Sequence, residues 1–145
     1  MFTVAVVEDE ADAARRLEAC LARYSRDHPG VRFDVTVFSE PTRLLEGYRP
    51  VWDVMFMDMP NMDGMAAARR LRALDGQVAL VFVTNMAQFA AKGYEVDALD
   101  YVIKPFSYND FERKLRRAVA IRGEESASVM IMQRAGTQRV LLRDI

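Results

Sequence analysis

The sequence predicts one α/β domain, a (βα)5 doubly wound parallel five-stranded sheet. Three observations carry this. Runs of β-forming residues apolar on both faces recur at 4–7, 54–57 and 78–83, as buried parallel strands require. Between them lie longer stretches with apolar residues at helical spacing. The runs also end abruptly in polar residues, Glu8-Asp9-Glu10, Asp58 and Thr84-Asn85. Alternation of this kind implies a parallel sheet with helices on both faces.

The elements follow in order. Residues 4–7 form the first strand. A helix follows, with Ala14, Leu17, Leu21 and Tyr24 on one face and acids at its positive end. His28-Pro29-Gly30 stops it. Phe33, Val35 and Val37 alternate with Asp34 and Thr36, the pattern of a more exposed strand. Ser39 is placed to cap a short helix with Pro41 in its first turn. Residues 54–57 are the third strand, delivering Asp58 to its end. Ala68, Leu71 and Leu74 mark a helix over about 65–74. The fourth strand is 78–83, and 86–94 reads as a helix interrupted by Gly93. Residues 101–103 form a short fifth strand before Lys104-Pro105. Ser107 and Asp110 have capping-box spacing and open a last helix with Phe111, Leu115, Ala118 and Val119 inward. Residues 123–128 read as a linker, and 129–145 as the start of a β-hairpin.

Composition excludes several classes. The 145 residues suffice for one domain, and 28% charged with 51% hydrophobic is a globular balance. A net charge of -1 gives no general pull toward nucleic acid or membrane. The single cysteine, Cys20, forbids an internal disulfide and fits a reducing, cytoplasmic setting. The N-terminus lacks signal-peptide features, and no apolar run spans a bilayer.

In an open parallel sheet, ligands sit beyond the carboxyl ends of the strands. Those ends carry Glu8 and Asp9, then Asp58, Thr84 and Lys104. Three neighbouring carboxylates repel one another and call for a cation. An all-oxygen donor set suits Mg²⁺, which also binds phosphoryl oxygens. A carboxylate can accept a phosphoryl group, with Lys104 and Thr84 contacting its oxygens.

This set resembles the receiver domain of two-component response regulators, a flavodoxin-like fold, over about residues 2–122. The acidic pair Glu8-Asp9, Asp58, Met59-Pro60-Asn61-Met62-Asp63-Gly64, Thr84 and Lys104-Pro105 stand in family order. The stretch from Thr84 to Pro105 is similar to the LytTR subfamily in particular, and 129–145 resembles the opening of a LytTR DNA-binding domain. The resemblance implies that Asp58 accepts phosphoryl from a sensor histidine kinase. It implies that Glu8, Asp9, Asp58 and the Pro60 carbonyl hold Mg²⁺, and that Thr84 and Tyr101 form a switch pair. Lys104 contacts the phosphoryl group, and the bond to Pro105 is expected to be cis. The chain would act as a transcription-regulating switch rather than a turnover enzyme. It would dimerise through the 86–122 surface and reach DNA only through the remainder of the LytTR domain.

One departure stands at the centre. The family usually reads Asp-x-x-Met-Pro-x-Met-Asp-Gly, whereas Asp58 here directly precedes Met59-Pro60, two residues short. Either the loop is shorter behind a fixed Asp58, or the strand slips by two and brings Phe56 to the acceptor position. A slip of two keeps the same face. Burial of 54–57 favours the shorter loop. The alternative function is a phosphorylation-incompetent receiver serving as a protein-interaction module.

Other readings carry less. Neither Glu8-Asp9-Glu10 nor Asp58-Met59-Pro60 has the Asp-x-Asp of an aspartate-nucleophile phosphatase. No nucleotide-binding glycine loop is present. The basic stripe Arg113, Lys114, Arg116, Arg117 and Arg122 reads as a solvated helix face, because no aromatic platform accompanies it.

Overall fold

A computed structural model describes residues 1–58, 62–85 and 95–135, with side chains for all of these except 62–64 and 124–135. The elements are β1 (Phe2–Val7), α1 (Ala11–Asp27), β2 (Phe33–Phe38), α2 (Pro41–Leu45), β3 (Val54–Asp58), α3 (Met62–Leu74), β4 (Ala79–Thr84), β5 (Asp100–Ile103) and α4 (Tyr108–Ala135). All strand pairs are parallel, in the order β2-β1-β3-β4-β5.

Period-two alternation divides the inner strands between two cores. Val4, Val6, Val54, Phe56, Val81 and Val83 face α1 and α4, where Leu17, Leu21, Phe111 and Leu115 cover them. Ala5, Val7, Met55, Met57, Leu80 and Phe82 face the other way, under Leu44 and Leu45 of α2 and Met65, Ala68 and Leu71 of α3. Both faces of β1, β3 and β4 are therefore dry, which is why their sequences show no polar alternation. Edge strand β2 exposes Asp34 and Thr36 as its sequence predicts, although the alternation breaks at Val37, which is 39% exposed.

Local signals set most boundaries. Ser107 Oγ accepts the Asp110 N–H at 3.1 Å and opens α4. Gly30 has φ +97°, a left-handed turn just past the end of α1 that only glycine adopts freely. At α2 the cap position is Glu40 rather than Ser39, with no side-chain hydrogen bond. Pro41, its φ preset for the first turn, starts this short helix.

The chain differs from expectation in two places. Helix α3 starts at Met62 rather than 65, directly behind the short 59–61 connection. Helix α4 continues through 123–135, where a linker and then the first strand of a hairpin were expected. Glutamates and alanines there are good helix formers, and one glycine costs a growing helix only about 1 kcal/mol. The predicted helix at 86–94 and residues 136–145 lie outside the described residues. No helix among those described is long and apolar enough to cross a membrane.

Candidate functional site

The parallel register brings four strand ends to one edge. Val7 pairs with Met57, Asp58 with Val83, and Thr84 with Ile103. The polar residues that end these strands therefore stand side by side. The backbone holds them there. The Glu8 N–H donates to Phe38 O at 3.0 Å, and the Lys104 N–H donates to Thr84 O at 2.7 Å. The Lys104–Pro105 peptide bond is cis.

Lys104 is the centre of the charge pattern. Its Nζ lies 3.0 Å from Glu8 Oε1 and 3.3 Å from Asp58 Oδ1. The other Glu8 oxygen accepts the Glu10 N–H at 3.2 Å. Glu8, Asp9 and Asp58 each offer a carboxylate oxygen, and these atoms all lie within 4.8 Å of one another. The Glu8 side chain is 2% exposed and that of Asp58 13%. Burial pushes the Glu8 carboxyl above its ordinary range, against the pull of the Lys104 hydrogen bond. Burial works to lower Lys104, but its hydrogen bond to Glu8 and the charge of Asp58 outweigh this and hold it above the usual lysine value.

Like charges at such separations repel by about 3 kcal/mol per pair at an effective dielectric near 20. One ammonium against three ionised carboxylates leaves two negative charges at this edge. A divalent hard cation with oxygen ligands matches both the charge and the donors, so the residues fit Mg²⁺. Pro60, whose carbonyl was expected to join them, lies outside the described residues.

Asp58, not Phe56, reaches this edge. Phe56 is fully buried, with its ring centroid 5.2 Å from that of Phe111 in the core beneath α4. A two-residue slip would pull that ring out of the core and carry Asp58 about 6–7 Å past the edge. Strand β3 thus ends in Asp58, with Phe56 in the core.

Thr84 is fully buried at the end of β4, beside Ile103. Tyr101 stands apart from the carboxylates. It pairs with Phe82 rather than Thr84, is 40% exposed, and has Lys114 Nζ 5.0 Å from its ring centroid. A cleft of about 560 Å³ opens beside Glu8 and Lys104, walled by Leu17 and Cys20 of α1 and by Pro105 and Phe106.

The sequence reading missed a second polar cluster at the opposite edge of the sheet. The Asp75 carboxylate accepts N–H groups of Gln77 and Val78 and the Tyr48 hydroxyl. Arg72 beside it donates to four backbone carbonyls among the described residues. The one local signal for the cluster is the turn pair Asp75-Gly76 just past the end of α3.

Fold and site together define the receiver class of α/β domain. The chain belongs to the response regulator receiver domain family, whose model matches residues 4–116. It is 31% identical over 119 residues to the sensory transduction protein LytT of Bacillus subtilis, covering 81% of this chain and 48% of that protein. It is 30% identical over 122 residues to the positive alginate biosynthesis regulatory protein of Pseudomonas aeruginosa, covering 81% and 47%. Against the transcriptional regulatory protein BtsR of Escherichia coli it is 28% identical over 136 residues, covering 90% and 53%. The LytT match agrees with the LytTR-type resemblance. The chain spans about half the length of these curated relatives. The response regulatory domain of mrkE from Klebsiella pneumoniae has the same fold, with TM-score 0.70 at 21% identity, covering 84% of this chain and 98% of that one.

Proposed function

We propose that this chain is a phosphorylation-operated receiver in which Asp58 accepts a phosphoryl group from the phosphohistidine of a sensor kinase. One observation carries the reading. Asp58 ends a buried strand with its carboxylate 3.3 Å from the Lys104 ammonium and within 4.8 Å of two further acids. In the transfer an Asp58 oxygen bonds to phosphorus as the donor's N–P bond breaks, and the imidazole leaves. Lys104 is placed to neutralise the incoming phosphoryl oxygens, moving from its ion pair with Asp58. Glu8, Asp9 and Asp58 would hold Mg²⁺, which when bound neutralises charge on the transferring group. Thr84 and Tyr101 would register the change. The cleft between α1 and Phe106 lies where a donor side chain can approach.

The output follows from the relatives, two of which are named as regulatory proteins, one of them transcriptional. Residues 1–122 would be the receiver unit. Homodimerisation would use the surface within 86–122, and DNA contact would use a LytTR-type output domain. The protein would act in the cytoplasm.

A second reading is favoured by one fact: only residues 59–61 separate Asp58 from α3. If that short connection blocks the transfer, the domain acts as a phosphorylation-independent interaction module. Incubation with Mg²⁺ and acetyl phosphate separates the two. The first reading expects one acid-stable, base-labile phosphate that disappears in Asp58→Ala. Label surviving that substitution overturns the acceptor, and absence of label in the native chain leaves the second reading.

A further inference from the structure

Strand β5 carries Lys104 at its end, and α4 holds its middle, with Lys114 Nζ donating to Tyr101 O at 2.6 Å and Val102 buried beneath Phe111 and Leu115. The strand has four residues, lies at the sheet edge and pairs with β4 alone. Beyond the ladder, the Leu99 N–H donates to Leu80 O at 2.8 Å at one end and the Lys104 N–H to Thr84 O at 2.7 Å at the other. So short an edge strand frays readily unless its ends are tied.

The lead-in to β5 is tied by Arg72 of α3. Its Nε donates to Val96 O at 2.7 Å and its Nη2 to Asp97 O at 3.1 Å. Nη1 donates to Asp75 O at 3.1 Å and Val78 O at 2.9 Å. One planar guanidinium thus binds the end of α3, the start of β4 and the approach to β5. The rigid fork suits this, and a lysine ammonium on a flexible stem does not. Asp97 adopts φ 55°, a conformation that L side chains rarely take, and its carbonyl is one of those Arg72 holds. Val96 beside it is buried in the core with Leu71 and Leu80. Arg69 adds an exposed ion pair to Glu95, one turn earlier on α3.

We infer that Arg72 is a positioning residue for Lys104: it fixes the start of β5 in register so that the end of β5 presents the ammonium to Glu8 and Asp58. It does so from the far edge of the sheet, about 20 Å away along β4. The inference rests on the reading of Lys104 given above, but its first test does not.

That test is amide hydrogen exchange in Arg72→Gln, read at Leu99, Val102 and Lys104 against β1. Exchange at these three amides, in β5 and at its two ends, should rise about 10-fold beyond any change in β1. Arg72→Lys, which keeps the charge and loses the fork, should give a smaller rise at the same amides and guards against a glutamine variant that fails to fold. An equal rise in β1 and β5, or no rise at Lys104, overturns the inference.

The second test measures Asp58 labelling by acetyl phosphate with Mg²⁺. Arg72→Gln should slow it about 5-fold in the native background and less than 2-fold in Lys104→Ala, because coupled residues are not additive. Equal slowing in both backgrounds refutes action through Lys104. Absence of label in the native chain would fail the phosphoryl-acceptor reading while exchange at Lys104 still decides the anchor.

Discussion

Asp53 and Asp58 bracket the same apolar run and meet opposite fates. At the lower edge of the sheet, the Asp53 carboxylate accepts the Thr3 N–H at 2.9 Å and pairs with Arg122 at 3.3 Å. Asp75, nearby in kind, is filled by two backbone N–H groups and a phenol. At the upper edge, Asp58 has Lys104 for a neighbour and two other acids within 4.8 Å. The lesson is general. A carboxylate whose lone pairs are taken by backbone donors is part of the frame. One facing other carboxylates across a shared cation is arranged to bind or react.

The largest test of this contrast is Asp58→Ala. It should abolish phosphoryl labelling, whereas Asp53→Ala should retain it. Asp58→Asn should leave stability unchanged or raise it by up to about 1 kcal/mol, because it removes like-charge repulsion. A loss of several kcal/mol in urea unfolding would place Asp58 in the frame after all.

Asp75→Ala should have the largest effect on stability. It strands two N–H groups and the Tyr48 hydroxyl, at about 3 kcal/mol. The urea midpoint should fall with an unchanged m-value. Asp53→Ala should cost less, about 1–2 kcal/mol, because Arg122 keeps its hydrogen bond to Gln77 O and a single backbone N–H, that of Thr3, loses its acceptor.

The smallest effect concerns pH. Burial, then the hydrogen bond to Asp75, holds the Tyr48 phenol well above its ordinary value. The folded value exceeds the unfolded one, so this stabilisation is complete below about pH 10 and is lost as pH rises beyond it toward the folded value. Urea midpoints on either side of pH 10 should show a decline in the native chain that is shallower in Tyr48→Phe. An identical decline in both would remove Tyr48 from the lower cluster's energetics.

Much of this was legible from the chain. The two-sided apolar runs gave β1, β3 and β4, because a strand covered on both faces has no polar position to alternate. Glu8, Asp9, Asp58 and Lys104 were legible as a set, because a parallel sheet gathers the ends of its strands at one edge. Tyr101 was named from family order, and its exposed place under Lys114 gave no sequence signal. The end of α4 was misread because Gly123 and the serines resemble a break, while helix propensity along the chain outweighs a single glycine.

The sequence by itself determined the sheet, its acidic edge and the candidate acceptor, since these follow from periodicity and from where polarity begins. Tertiary structure alone decided three further things. Phe56 packs on Phe111, which fixes Asp58 rather than Phe56 at the edge. Asp53 and Asp75 are satisfied by backbone donors, which separates them from Asp58. Arg72 reaches carbonyls more than twenty positions ahead, an association no local pattern encodes. Each depends on contacts between residues far apart in the chain, and such contacts exist only once the elements have packed.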